Sequence, residues 1–352
     1  IYYWDISAYW KNALHLLETF QLDFQLGVTE VINSTSTDYN YLPLVPLLPA
    51  MELLGSGRKV FTLLIVNLYV IPFAVLLAAA STSLVKLKRS IAPAFYALAL
   101  FATLFLPATL VPALDGRVDA INLVIVGLVA LLYAKTKFAK YRHYFFLGIL
   151  LCLMIVFRRY FSFWALGFFV SYTIVTVVHA WFKNHKKINK KFWSSLRRPA
   201  LGLVTTGLTI VAIMLTLFRD VFMRYLGENY ADLYSAYYLG GAFDQVLLFI
   251  QNFGLIIIIP ALIGYALAFT VYKKTNIVWV SLFLLIQSAI IYIAFTRTQS
   301  FGVQHYCMLI PFLLWGFFVG IKYLLECKRS YLKYIGILMI VILFSSLSLF
   351  SF

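Results

Sequence analysis

The 352-residue chain has little charge, and least of all acid. Asp, Glu, Lys and Arg make up 12% of it, whereas hydrophobic residues make up 63%. An ordinary soluble domain is about half apolar and a quarter charged, so the balance excludes a soluble globular fold. Cysteine is also scarce. Cys152, Cys307 and Cys327 lie far apart, in or beside apolar runs, which excludes a disulfide framework and a zinc cluster. No glycine-rich Walker or dinucleotide pattern occurs, so cytosolic nucleotide binding has no support. The absence of a clear internal repeat counts against an inverted-repeat transporter. The formal net charge of +16 is distributed as membrane orientation requires, and nucleic acid is not an expected partner.

What the chain does have is long apolar runs. "VFTLLIVNLYVIPFAVLLAAASTSLV", residues 60–85, is long enough to cross a hydrocarbon core of roughly 30 Å. Ten such spans are predicted, at 60–84, 91–112, 120–135, 144–162, 163–182, 199–218, 246–272, 276–295, 305–325 and 333–350. The expected fold is an all-α polytopic membrane protein forming one unit over residues 1–352. Residues 60–352 supply the bundle. Residues 1–59 supply a loop too apolar and aromatic to be free. Within it, "SAYWKNALHLLETF" and "LPLVPLLPAMELLG" read as short interfacial helices, joined by a turn at Ser34–Tyr39.

The loops alternate in charge. The basic set comprises 86–89, 135–142, 183–198, 273–274 and 326–333, with Lys322 beside it, and holds 20 of the 29 Lys and Arg. The other set comprises 1–59, 114–119 and 219–244. Twelve of the 13 acids fall on its side, and only Glu326 lies with the basic loops. The positive-inside rule makes the basic loops cytoplasmic and the acid-bearing loops exterior or periplasmic, in a multi-pass cell membrane. An exterior start implies a further span ahead of residue 1, or a cleaved signal peptide. Acids carry little orienting weight, so their one-sidedness points to chemistry on that face.

The exterior face offers Asp5 in "IYYWDISAYW", Asp115, Arg117 and Asp119 in "LDGRVDAIN", and Arg158 and Arg159 in "FRRYFSFW". It also offers Arg297 and His305 in "TRTQSFGVQHY". Acids and arginines at one membrane depth can grip a lipid-linked phosphate and do acid/base chemistry on its head group. Each also has a plainer reading. Asp5 and Asp119 are placed to cap the helices that follow them, and Asp115 reads as a loop acid. Arg158 and Arg159 could snorkel to exterior head groups, although a double arginine there runs against the positive-inside rule. His305, beside Gln304, reads first as structural. No His/Asp/Glu spacing marks a metal site.

Taken together these segments resemble the GT-C superfamily of membrane glycosyltransferases. The branch is that of the protein O-mannosyltransferases and the lipid A aminoarabinose transferase. In that family an acid among aromatics opens a long first exterior loop, as in "YYWDISAYW". A proline-leucine segment follows, as in "YNYLPLVPLLPAMELLG". A second acid precedes a span, as in "DGRVDAINLVIVGLVALLY", and a late aromatic-proline segment resembles "QHYCMLIPFLLWGF". The chain departs from the pattern at Ile6, where a second acid is common, and at Leu42, where a second proline is common. The 352 residues do not include the large soluble C-terminal domain that some members of the family carry.

The resemblance implies a transferase that moves a sugar from a polyprenyl-phosphate donor, with inversion, to a glycan, lipid or protein acceptor. It implies that Asp5 is the general base and Asp119 the second acid. Arg158, Arg159 and Arg297 would hold the donor phosphate, with Asp115, Arg117 and His305 in reserve. It admits a divalent metal and leaves the sugar and acceptor open. The competing class is a transporter or flippase of lipid-linked sugars, which needs a polar path through the spans. The spans carry isolated neutral polar residues such as Asn67, Asn122 and Gln287 instead. A non-enzymatic assembly subunit would explain the spans but not the one-sided acids and arginines.

Overall fold

A computed structural model describes residues 4–37, 40–229, 232, 234–238, 240–327 and 334. Every regular element among the described residues is helical. The first segment folds as α1 (Trp4–Leu22), α2 (Phe24–Ser34) and α3 (Leu48–Leu54). α1 matches the first predicted helix. α2 is an addition: Asp23 accepts from the backbone N–H groups of Gln25 (2.7 Å) and Leu26 (3.1 Å), satisfying donors that a helix start leaves open. The predicted turn after it includes residues 38 and 39, which lie outside the described residues.

The bundle begins with α4 (Arg58–Val85), a continuous helix with one widened turn at Val66–Val70. α5 (Ala92–Leu104) and α6 (Pro107–Leu114) follow, bent by 48° from one another. Pro107 causes the break, because it has no N–H to continue the ladder and drives Leu106 to an extended ψ of 122°. Then come α7 (Ala120–Thr136), α8 (Tyr141–Phe157), α9 (Phe161–Lys183), α10 (Lys190–Leu217) and α11 (Arg219–Gly227). The chain continues through α12 (Ala242–Phe253), α13 (Leu255–Thr270), α14 (Asn276–Thr296) and α15 (Ile310–Glu326).

Among the described residues, five helical stretches are long and apolar enough to cross a membrane: α4, α9, α10, α14 and Gln304–Glu326. The bent α5–α6 pair makes six if it counts as one span. The chain is a helical membrane protein. α7 and α8 are apolar but shorter, at 17 residues each. The predicted span at 246–272 is split at Gly254 (φ 73°) into α12 and α13. The tenth predicted span, 333–350, lies outside the described residues apart from Tyr334.

Two kinds of packing hold these parts. The first segment buries apolar side chains that would otherwise meet water. Tyr9, Ala13 and Leu16, spaced i, i+4 and i+7, form the inner face of α1. They join Leu47, Met51 and Phe61 in one cluster. Each leucine or methionine buried there stabilises by roughly 1.5–3 kcal/mol. Within the bundle lipid tails are as apolar as leucine, so burial alone gives little, and close backbone approach takes over. α13 and α15 cross at Gly264 and Gly316, where a Cβ on either would overlap the opposing backbone. Between α8 and α10, Thr206 Oγ1 donates to the Tyr144 carbonyl at 3.0 Å.

The two ends of the bundle differ as the loop charges predicted. Lys86 is close enough to Lys137 to oppose its charge, and Arg198 is close enough to Tyr144, at the start of α8, for its charge to be felt there, so three basic loops share one end. At the other end the first segment is tied down by Asn40, whose amide donates to the Val156 carbonyl at 2.6 Å. Tyr69, in the widened turn of α4, donates to the Pro43 carbonyl at 2.6 Å. These bonds seat the proline-leucine segment on the widened turn of α4 and the end of α8.

Candidate functional site

Three connections build the site. The first is the α6–α7 turn. Arg117 N–H donates to the Pro112 carbonyl (2.9 Å) and Gly116 N–H to that of Ala113 (3.0 Å), the paired bonds of a Schellman C-cap. Gly116 supplies the required positive φ, 86°. This turn delivers Asp119 to the start of α7. The second is the α8–α9 connection. The predicted spans met at 162–163; α8 instead ends at Phe157, and Arg158 is extended (φ −149°, ψ 115°). Arg158, Arg159 and Tyr160 therefore form the link itself. The third is a 3₁₀ turn at Val303–Leu309 leading into α15.

Asp119 stands at the cap position of α7 but its side chain makes no capping bond. Its Oδ1 accepts from Arg158 Nε and, at 2.6 Å, from the Tyr160 hydroxyl. The pair is buried, with 16% of the Arg158 side chain and 4% of the Asp119 side chain exposed. Arg158 Nη1 donates to the Tyr9 hydroxyl, and the guanidinium lies over the Tyr9 and Tyr160 rings. Burial works to raise the Asp119 carboxyl pKa. The Arg158 charge, the Tyr160 and Arg158 hydrogen bonds and nearby Arg117 outweigh it, so the carboxyl is held below the usual range. Burial foremost, and then Asp119, push the Tyr160 phenol well up, so it remains a donor.

His305 packs edge-on against Tyr160, with ring centroids 4.8 Å apart, and its Nδ1 accepts from Gly302 N–H at 2.9 Å. The neutral ring therefore carries its proton on Nε2. Cys307 Sγ is 3.8 Å from the Tyr160 hydroxyl. Arg159 turns the other way. Its Nη2 donates to the Tyr234 hydroxyl at 2.5 Å, and its Nη1 is 3.9 Å from Glu228. Glu228 also takes Arg224 Nε at 2.6 Å, and Arg224 reaches the Ser36 carbonyl at 2.8 Å.

Of the predicted residues, Asp119, Arg158 and His305 come together around Tyr160, with Arg117 near them. Arg117 Nε is buried and has no hydrogen-bond partner among the described residues. Asp115 is exposed at the end of α6, and Arg297 is exposed after α14; neither joins a hydrogen bond or ion pair with the cluster. Asp5 lies in the first turn of α1, one turn ahead of Tyr9, and its side chain lies outside the described residues.

Sequence reasoning missed Tyr160, Glu228 and the bond made by Tyr9. The tyrosine inside "FRRYF" was the available signal for the first. No three His, Cys, Asp or Glu side chains gather to hold a metal ion among the described residues. Asp119 Oδ1, the carboxylate oxygen at the centre of the cluster, already faces Arg158. No family model, curated protein or solved structure matches the chain.

Proposed function

We propose that the chain is a glycosyltransferase of GT-C type. It transfers a sugar from a polyprenyl-phosphate donor to an acceptor at the acid-bearing end of the bundle. In this reading the shorter apolar helices also cross the membrane, and that end faces the exterior of the cell membrane. The observation that carries it is the buried Asp119–Arg158–Tyr160 cluster, closed by Tyr9 from the first segment. Four distant parts of the chain, His305 included, converge at one end, and acids and arginine dominate there.

Asp5 takes the proton from the acceptor hydroxyl as its oxygen attacks the anomeric carbon. The bond from that carbon to the phosphate oxygen breaks, and polyprenyl phosphate leaves with the electron pair. Configuration inverts because attack and departure are on opposite faces. A carboxylate among tyrosines and tryptophans suits the base role, since an apolar setting raises its basicity.

The leaving phosphate needs fixed positive charge. Arg158 and Arg159 are each already faced by a carboxylate, so their role is shared with Asp119 and Glu228. Asp119 positions the Arg158 fork and does not act as a second base. Arg117 supplies charge that no carboxylate has taken up by hydrogen bonding, and Arg297 meets the phosphate only if the donor reaches the end of α14.

The test replaces Asp5 with Asn in membranes and assays sugar transfer from a short-chain polyprenyl-phosphate donor. Lost transfer with preserved expression and donor binding is expected. Transfer at the wild-type rate would remove Asp5 from the base role. Movement of labelled lipid across vesicles without a glycosylated product would favour the transporter instead.

A further inference from the structure

At the basic end, α9 and α10 enclose a groove of about 240 Å³. Thr173, Thr176 and Val177 line one wall, and Trp193, Arg197 and Ala200 line the other. The walls are apolar in effect: Thr173 Oγ1 is turned back to the Phe169 carbonyl of its own helix at 2.8 Å. Trp193, in the first turn of α10, is 64% exposed, an amphipathic ring of the kind enriched where membranes meet water. Arg197 is exposed beside it. Residues 183–198 hold seven Lys and Arg and no acid. An apolar slot between helices with a basic rim fits a lipid with a negative head group.

We propose that this groove binds one anionic phospholipid from the leaflet at the basic end. An acyl chain lies between α9 and α10 along Thr173, Ala200 and Leu203, Arg197 holds the phosphate, and Trp193, one turn nearer the start of α10, flanks the head group with the rest of the basic 183–198 segment around it. A zwitterionic lipid would fill the same slot and offer a phosphate too, but the cation beside that phosphate cancels much of its attraction to the seven positive charges. The site is separate from the Asp119 cluster, because Thr176 lies fifteen residues along α9 from Phe161, about 22 Å of helix.

The test uses the purified full chain and native mass spectrometry after exchange into phosphatidylglycerol or phosphatidylcholine. Phosphatidylglycerol should be retained at least about fivefold better, the preference given by roughly 1 kcal/mol from one basic side chain near the head group. Arg197→Glu should bring its retention down to the phosphatidylcholine level. Ala200→Trp, which fills the slot without changing charge, should do the same, and Leu203→Trp repeats that arm if the first variant does not fold. Lys274→Glu, in a different basic loop, should change nothing. Equal retention of the two lipids would overturn the proposal. So would wild-type retention in the filled variants, or an equal loss with Lys274→Glu, since either makes the effect one of surface charge alone.

Discussion

Arg158 and Asp119, 39 residues apart in the chain, are ion-paired in a buried cluster that also holds the Tyr9 and Tyr160 hydroxyls. The pair joins the α8–α9 link to the start of α7 and, through Tyr9, to the first segment. It couples three parts of the chain that hydrophobic packing alone would leave free to shift.

A buried pair is costly to break and cheaper to replace whole. Asp119→Ala leaves the Arg158 charge uncompensated, at a cost on the order of 3–5 kcal/mol. Arg158→Met leaves Asp119 in the same position. The double variant Asp119→Ala, Arg158→Met should lose clearly less than the sum of the single losses. Thermal unfolding of the detergent-purified protein, read as a double-mutant cycle, checks this. Additive losses would mean that the two side chains do not depend on each other.

Tyr160→Phe keeps the ring against His305 but removes a donor to Asp119, a bond to a charged group worth about 1.5–3 kcal/mol. It also has a pH signature. The folded carboxyl of Asp119 is held below its ordinary range, so its stabilisation is present above the unfolded pKa near 3.9. It is lost only as pH falls through the lower folded pKa. Without the Tyr160 hydroxyl the folded pKa moves up, so the loss begins at the same unfolded pKa but is complete at a higher pH and is smaller in total. Unfolding midpoints measured from neutral pH down to about 2 should show the two curves converging at the acid end. Parallel curves would rule out the Tyr160–Asp119 bond as the cause.

Glycines at two kinds of position should respond oppositely to one added methyl. Gly264→Ala puts a Cβ into the Gly316 carbonyl across the α13–α15 crossing, so the helices must move apart and midpoints should fall sharply. At Gly207, in α10, a Cβ meets nothing within 4 Å. Gly207→Ala should be neutral or stabilise by about 0.4–1 kcal/mol, because alanine has less backbone freedom to lose. Comparable thermal shifts in both variants would contradict the tight crossing.

The spans were legible where apolar runs are uninterrupted. α4, α9 and α14 follow their predicted limits to within two residues. Boundaries failed where one residue changes the backbone course inside an apolar run. Pro107 bends the second predicted span and Gly254 splits the seventh, and hydropathy registers neither event. The end of α8 was misplaced for a related reason: "FRRYF" is flanked by apolar residues, so the extended conformation at Arg158 left no trace in the pattern. The candidate residues were visible as a set, because acids and arginines are rare here and collect on one side. Their pairing was not visible. Asp119 and Arg158 are joined through a turn and a helix link whose geometry depends on packing, and the two adjacent arginines diverge to different carboxylates.

Composition and loop charge by themselves determined a helical membrane protein with an acid-bearing end and a basic end, because water and lipid sort side chains by polarity along the whole chain. Only the tertiary structure decided that Asp119 forgoes the cap of its own helix for Arg158 and Tyr160. Both readings satisfy the local sequence. Hydrogen-bond geometry chose between them, because burying the Arg158 charge without a counter-charge would cost more than leaving one helix end uncapped.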